Sequence, residues 1–340
     1  MDKASSDRLS LPKVIFGTSG LGNLYQAVPF PEKKEIVHQC LLHSAGKPVF
    51  DSAGKYGAGL SLEVLGACLS ELGVRPEDIL ISNKLGWLRT ALSGPEPTFE
   101  KGVWVDLQYD AVQQISYHGI LECFEQGNTL LGPYSAGLVS VHDPDEYLAG
   151  ATSEAHEKEL YQDILNAYKA LAELKKDGKV LAIGVGSKDW RVIRRIAGDV
   201  ALDWVMIANS LTVISHPQEL LDFISALASK KISVINSAVF NGGFLIGSNY
   251  FNYQLVDPDT TNGKLLFEWR NRFEELCSQF NIQPAEACVD FGLHIPGVES
   301  IAMNTTRPEK VKVNIAMANQ TIPNAFWKAM QQEGLINSYR

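Results

Sequence analysis

The chain has 340 residues, 45% hydrophobic and 20% charged, with a formal net charge of −9. That length and apolar content suffice for one large core, and the acidic balance argues against nucleic acid and against polybasic attachment to a membrane. No apolar run reaches a bilayer span and no charged-then-apolar leader follows Met1, so a cytoplasmic protein is expected. Cys40, Cys68, Cys123, Cys277 and Cys288 are singly spaced, which predicts buried thiols and no metal site.

Residues 1–10 are polar and expected to fray. Residues 14–16 read as a short strand, and GTSGLGN after it as a glycine-bearing loop, either a tight turn or a backbone that a ligand approaches closely. Helical periodicity covers residues 31–44 through Ile36, Val37, Cys40 and Leu41. The stretch 49–84 carries the densest chemistry. One apolar run ends at Asp51, a glycine-rich turn bears Tyr56, an amphipathic helix follows, and a second run, 79–82, delivers Lys84. Parallel strands joined by a helix bring their ends side by side, so these three residues can converge.

A free phenol has a pKa of about 10. An ammonium beside it favours the phenolate, and a carboxylate beside the lysine keeps that amine charged. Lowering the phenol by about 2 to 3 units takes roughly 3 to 4 kcal/mol, much of which one close ammonium can supply in a partly desolvated pocket. Such a set shuttles a proton at a carbinol oxygen while a cofactor moves the hydride. Singly, each residue reads more plainly as a cap, a surface contact or a solvated strand end. The ordered triplet carries more, and it becomes specific with His142, at the end of the apolar run in AGLVSVHDPD. His118 is a rival, but its place at the start of a helix suits a cap-region side chain.

Beyond Lys84, residues 86–110 lose periodicity around Gly94-Pro95, Pro97 and Gly102. Trp87, Trp104 and Tyr109 within them point to an ordered loop over the site. Residues 117–131 are helical. Residues 143–159 form an acidic connection, read as solvated, in which His156 lacks the partner spacing of a metal ligand. Residues 161–176 are an amphipathic helix with Lys175 and Lys176 in its last turn and Gly178 beyond. Strands at 180–185, 204–207 and 233–237 alternate with helices at 217–230, 265–280 and 284–293. Asn241-Gly242-Gly243 after the strand at 233–237 suits a turn or a close pyrophosphate approach, and an irregular aromatic loop at 250–262 could fold over a cofactor. The last strand, 300–303, precedes Asn304-Thr305-Thr306-Arg307-Pro308, a helix start with hydroxyls and a cation that suits an anion. The amphipathic stretch 325–335 packs on its own barrel or on a neighbour. Eight strand and helix alternations predict an α/β fold, a (β/α)8 TIM barrel forming one domain over 1–340. A doubly wound sheet fits less well, because no strand is followed by G-x-G-x-x-G with an acidic residue about 20 further on.

Asp51, Tyr56, Lys84 and His142 in that order, with GTSGLGN, YGAGLSLEVLG, AIGVGSKDW and PGVESIAMNTTRPEKVKVN, resemble the aldo-keto reductases over nearly the whole chain. Within that family the likeness is strongest to the D-threo-aldose (L-fucose) 1-dehydrogenase and pyridoxal 4-dehydrogenase group, through FGTSGLGNLYQAVP and VHDPDEY. The resemblance implies an NAD(P)-dependent oxidoreductase in which Tyr56 is the acid and base, Lys84 is held by Asp51, and His142 orients the oxygen. It implies cofactor contacts from Gly17 and Thr18, from Ser187 and Asn209 at the carboxamide, and from Asn241 and Gly243 at the pyrophosphate. Asn304, Thr305, Thr306, Arg307 and Lys310 fall at the ribose phosphate end and Asn314 at the adenine. Asn23, Trp87 and Trp104 are the implied substrate contacts.

The sequence also departs from the family. Ala208 stands where many relatives have glutamine, and Ser237 where an aromatic ring often stacks on the nicotinamide. Asn304 occupies the place of a phosphate-binding lysine and Lys310 that of an arginine, which favours NAD while leaving NADP possible. The implied reaction is oxidation of an aldose's anomeric hydroxyl to a lactone. A general carbonyl reductase and a non-catalytic cofactor-binding barrel are the alternatives. The expected partner is a small-molecule sugar or carbonyl compound, with the protein a monomer or small homo-oligomer.

Overall fold

The computed structural model describes residues 9–337. Along the chain, β1 (Val14–Gly17) leads through a 3-10 turn at Ser19–Gly22 to α1 (Phe30–His43), β2 (Val49–Ala53), α2 (Leu60–Glu71) and β3 (Leu80–Leu85). A hairpin, β4 (Trp87–Ala91) with β5 (Tyr109–Gln113), precedes α3 (Tyr117–Leu131). Next come β6 (Leu138–His142), the short α4 (Pro144–Ala149), the long α5 (Glu154–Lys176), β7 (Ala182–Ser187), α6 (Trp190–Asp199), β8 (Trp204–Ala208), α7 (Gln218–Ser229) and β9 (Ser233–Ser237). A small ribbon, β10 (Tyr250–Phe251) and β11 (Gln254–Leu255), precedes α8 (Thr261–Gln279), α9 (Pro284–His294), β12 (Val298–Met303), α10 (Pro308–Ala318) and α11 (Asn324–Gln332). Ser116, Ser153 and Thr260 start their helices by accepting a hydrogen bond from a backbone N–H three residues on, as N-caps do.

Eight parallel strands close in the order β1, β12, β9, β8, β7, β6, β3, β2, the (β/α)8 barrel that the alternation predicts. Side chains alternate along each strand between two destinations. Outward, Phe16, Phe50 and Ile81 pack in one cluster under the helices, and Val139, Val205 and Val234 in another. Inward, Ile15, Val49, Leu138, Ala182, Trp204, Met206 and Ile235 fill the barrel from below. Gly184 faces Trp204, and a Cβ there would overlap the indole, so the missing side chain is what lets the largest residue of this interior fit. Leu9 and Leu11 pack on this cluster, and Ser233 and Ser300 bond the carbonyls of Leu9 and Pro12. The bottom is thereby closed, and the open end is the C-terminal face.

Four sequence-based expectations change. Residues 86–110 contain regular structure, since β4 pairs with β5 from Trp87 opposite Gln113 to Ala91 opposite Tyr109. Residues 143–159 are not one solvated stretch but α4 and the start of α5, with Asp143 buried. Residues 250–262 include the ribbon. Of the frayed segment expected at 1–10, residues 1–8 lie outside the described residues, while Leu9 is anchored by apolar contact and by Ser233. The stretch at 325–335 resolves as α11, whose Phe326 and Trp327 pack on Phe280 and Phe291 of the same chain. Among the described residues no helix is long and apolar enough to cross a membrane.

Candidate active site

Strand register assembles the site. Gly17 pairs with Asp51, Ala53 with Lys84, Lys84 with Ser140, and His142 with Gly186. The inward-facing positions nearest the open end are therefore Gly17, Asp51, Lys84, His142, Gly186, Ala208 and Ser237. All of them line one cavity of about 390 Å³. Tyr56 enters from the turn after β2. That turn rests on the GTSGLGN loop: a Cβ at Gly22 would lie 2.8 Å from the Tyr56 carbonyl oxygen, and one at Gly57 (φ +61°) would overlap the Gly22 carbonyl. Of the two readings of that loop, close backbone packing under the tyrosine accounts for Gly22, while Gly17 and Ser19 reach the cavity.

The four residues of the proposed proton-transfer set meet. Lys84 bonds the Asp51 carboxylate, whose other oxygen accepts from Ser82 Oγ at 3.0 Å. The Lys84 ammonium stands 4.7 Å from the centre of the Tyr56 ring, and the His142 ring meets Tyr56 edge-on at 5.5 Å. Trp104 lies over the phenol with ring centres 5.8 Å apart, and its indole N–H donates to Glu100 at 2.6 Å.

The electrostatics differ from the expectation in one respect. Tyr56 has its pKa raised above the ordinary phenol value, because burial outweighs the attraction of Lys84 and Asp51 repels the phenolate. The aspartate that keeps the lysine charged thus cancels part of its benefit. For Lys84, burial opposes the charge, but Asp51 and Tyr56 more than compensate and the ammonium is held above its usual value. His142 is pushed well below the usual imidazole value by burial and by Lys84, Lys55 and Lys188, so it is neutral at pH 7. Its Nδ1 is buried without a hydrogen-bond partner among the described residues, and its Nε2 lies 3.6 Å from Asp143 Oδ2. An adjacent carboxylate favours the tautomer with the proton on Nε2.

A second charged group, absent from the sequence reading, forms one wall. Buried Lys55 contacts Glu146 at 2.7 Å and Glu100 at 2.8 Å, and Lys188 bonds the other oxygen of Glu146. Asp143 stands 3.7 Å from Lys55 and 3.6 Å from Lys188, and burial lifts its carboxyl to about 6 despite both lysines. The signal for Lys55, Asp143 and Lys188 was available: each directly follows a barrel strand or lies in the turn after one, where this fold places active residues.

Other expected residues divide. Ser187, Gly243, Asn304 and Trp104 line the cavity with Gly17. Thr305 and Asn314 border a separate small void beside Gly17 and Met303. Thr18 bonds the Asp51 carbonyl at 3.0 Å, and Asn241 bridges the Asn209 carbonyl and the Asn252 side chain. Thr306 accepts from Gln26, while Arg307 and Lys310 are exposed at the start of α10. Asn23 and Trp87 do not line the cavity. Asn23 accepts from the buried Lys33 ammonium at 2.6 Å and donates to Val105, and the Trp87 ring supports Lys55 at 5.3 Å. His118 is exposed at the start of α3, meeting the Tyr117 ring edge-on.

Residues 13–333 match the sequence pattern of the Aldo/keto reductase family. The chain belongs to that family. Similar proteins include pyridoxal 4-dehydrogenase of Microbacterium luteolum, 26% identical over 97% of this chain and 96% of the relative. D-threo-aldose 1-dehydrogenase of a Pseudomonas species is 27% identical over 98% and 97%. These belong to the group that the sequence resembles. Similar solved structures include a glycerol dehydrogenase from Gluconobacter oxydans, with TM-score 0.68 and 19% identity over 94% of this chain and 90% of that one. An aldo-keto reductase from Bacillus halodurans, in its holo form, gives 0.66 and 17% over 96% and 92%. At these identities the structural likeness shows the fold.

This aldo/keto reductase is an NAD(P)-dependent oxidoreductase. Its cavity has room beside the proton-transfer set for a nicotinamide dinucleotide, with the small residues Ser187, Ala208, Ser237 and Gly243 in its lining. Asn209, next to Ala208, does not itself line the cavity, and its buried Oδ1 has no hydrogen-bond partner among the described residues.

Proposed function

We propose that this enzyme oxidises the anomeric hydroxyl of an aldose to a lactone, with NAD as acceptor. The observation that carries the reading is the set of charged groups, Lys55, Glu100, Asp143 and Lys188, that line the same cavity as Tyr56, His142 and Trp104. Charged hydrogen-bonding groups with an aromatic platform suit a polyhydroxylated ring better than an apolar aldehyde. A nicotinamide cofactor supplies, when bound, the uptake or delivery of a hydride. Ser187 and Asn209 would hold its carboxamide end, Gly243 its pyrophosphate, and Asn304, Thr305, Thr306 and Arg307 the far ribose. Asn304 offers no cation to a 2'-phosphate, which supports NAD over NADP.

Tyr56 Oη and the Nε2–H of neutral His142 hold the reacting oxygen. During oxidation the phenol oxygen takes the hydroxyl proton, and Lys84 stabilises the phenolate state from which it acts. In the reverse direction the raised pKa of Tyr56 keeps the phenol loaded with the proton that a carbonyl oxygen needs. That observation supports a second reading, a carbonyl reductase on the same residues. An aldose and aldehyde panel with NAD and NADP, followed by reduced-nicotinamide absorbance and lactone analysis, separates them. Lactone formation from an aldose with NAD is expected; turnover confined to aldehyde reduction with NADPH would exclude the first reading.

A further inference from the structure

We propose that Asp143 is the substrate-recognition residue that selects compounds carrying a hydroxyl on the carbon next to the reacting one. Its carboxylate is buried against the protein yet lines the catalytic cavity. Among the described residues, the cationic and imidazole nitrogens paired with it all stand off: His142 Nε2 at 3.6 Å, Lys188 Nζ at 3.6 Å and Lys55 Nζ at 3.7 Å. Hydrogen bonds from nitrogen to oxygen close at about 2.7 to 3.2 Å. Both lysines direct their short contacts elsewhere, Lys55 to Glu100 and Glu146 and Lys188 to Glu146. Asp143 is thus ion-paired at long range but hydrogen-bonded by neither lysine, and it lines the cavity. Buried carboxylates are normally hydrogen-bonded, so the arrangement calls for a donor that arrives with the substrate.

The backbone is built for this orientation. Asp143 adopts left-handed angles, φ 44° and ψ 57°, which cost energy in a residue with a Cβ and concentrate at functional sites. Its N–H bonds the Gly186 carbonyl at 3.0 Å, and Pro144 begins α4 directly after it. The side chain is held beside His142. An oxygen bonded to His142 Nε2 therefore sits next to Asp143 Oδ2, and a hydroxyl on the adjacent carbon can donate to that carboxylate. Burial, which lifts the Asp143 carboxyl to about 6, leaves it mainly ionised and accepting at pH 7.

The inference rests on Tyr56 and His142 holding the reacting oxygen, as in the proposed function, but not on an aldose being the substrate. Its test is the reduction of glyceraldehyde and of propanal, which differ at the adjacent carbon by a hydroxyl. The quantity read is the ratio of their kcat/KM values in wild type, Asp143→Asn, Asp143→Ser and Glu146→Gln; aldehyde hydration is common to all four and cancels. Loss of a hydrogen bond to a charged acceptor should lower the ratio by about 10- to 100-fold in both Asp143 variants. Glu146→Gln, which weakens the same lysines without lining the cavity, should keep the wild-type ratio. An unchanged ratio in the Asp143 variants overturns the proposal, and so does an equal fall in Glu146→Gln, which would make Asp143 a counter-charge only. A wild type that oxidises no aldose yet shows the expected ratios would remove the lactone-forming reading and leave this one standing.

Discussion

The Asp51–Lys84 pair admits a quantitative test. Both side chains are almost wholly enclosed, at 5% and 4% exposure, and they bond each other within the barrel interior. Asp51→Asn keeps the shape and the Ser82 contact but leaves an ammonium buried without its counter-charge. Lys84→Met leaves a carboxylate with Ser82 as its remaining side-chain donor. Breaking a buried pair from one side typically costs about 3 to 5 kcal/mol, whereas replacing both partners is close to neutral. Each single variant should therefore unfold at lower urea concentration by that amount, with an unchanged m-value. The double variant Asp51→Asn/Lys84→Met should recover at least about 2 kcal/mol relative to the summed losses, the coupling of a contacting charged pair. Singles that lose under about 1 kcal/mol, or a double that loses the full sum, would refute the claim that this pair is a coupled buried unit.

Further expectations concern protons and the roof of the site. The phenol of Tyr56 should stay protonated past pH 10 in the cofactor-free enzyme, so a difference titration near 295 nm between wild type and Tyr56→Phe should show no ionising group at neutral pH. By the same logic, oxidation should accelerate with rising pH while reduction of an aldehyde without the adjacent hydroxyl stays level below pH 10; a reduction rate of that substrate that falls as pH rises through 7 would contradict it. His142 and Asp143 should give opposed stability slopes. A depressed imidazole contributes stability above its unfolded value of about 6.5 and loses it as pH falls, whereas a carboxyl raised to about 6 regains stability as pH falls from there towards 4. Relative to wild type, Asp143→Asn should lose stability on acidification by up to about 1.4 kcal/mol per pH unit, and His142→Asn should gain, as urea unfolding between pH 4 and 7 will read. Trp104→Ala removes a ring over Tyr56 and the indole bond to Glu100; kcat/KM for a hydroxylated substrate should fall by about 10-fold or more, and an unchanged value would deny Trp104 a place in the substrate site.

The parts legible in the sequence were those set by period and by strand ends. Alternation along β2, β3 and β6 puts Asp51, Lys84 and His142 on inward positions, and register alone then brings them together. The hairpin β4 and β5 was hidden because its two short strands are separated by the glycine- and proline-bearing segment that carries Glu100 and Trp104. The acidic run at 143–159 looked solvated because its countercharges, Lys55 and Lys188, come from the ends of other strands and are far off in sequence. The direction of the Tyr56 shift is not legible in the sequence for a related reason: the burial of the ring and the repulsion from Asp51 exist only once the chain has packed. Asn23, expected at the substrate, is engaged by Lys33 ten residues on, a contact between the loop after β1 and the first turn of α1 that periodicity does not reveal.

The central claim is that Tyr56 moves the proton at the reacting oxygen. It is tested most directly by paired measurements on Tyr56→Phe: turnover of the best substrate, and cofactor affinity by direct titration. Loss of the positioned acid or base should lower kcat by about 10²- to 10⁴-fold with cofactor affinity within a few-fold of wild type. Turnover close to wild type in that variant would contradict the account.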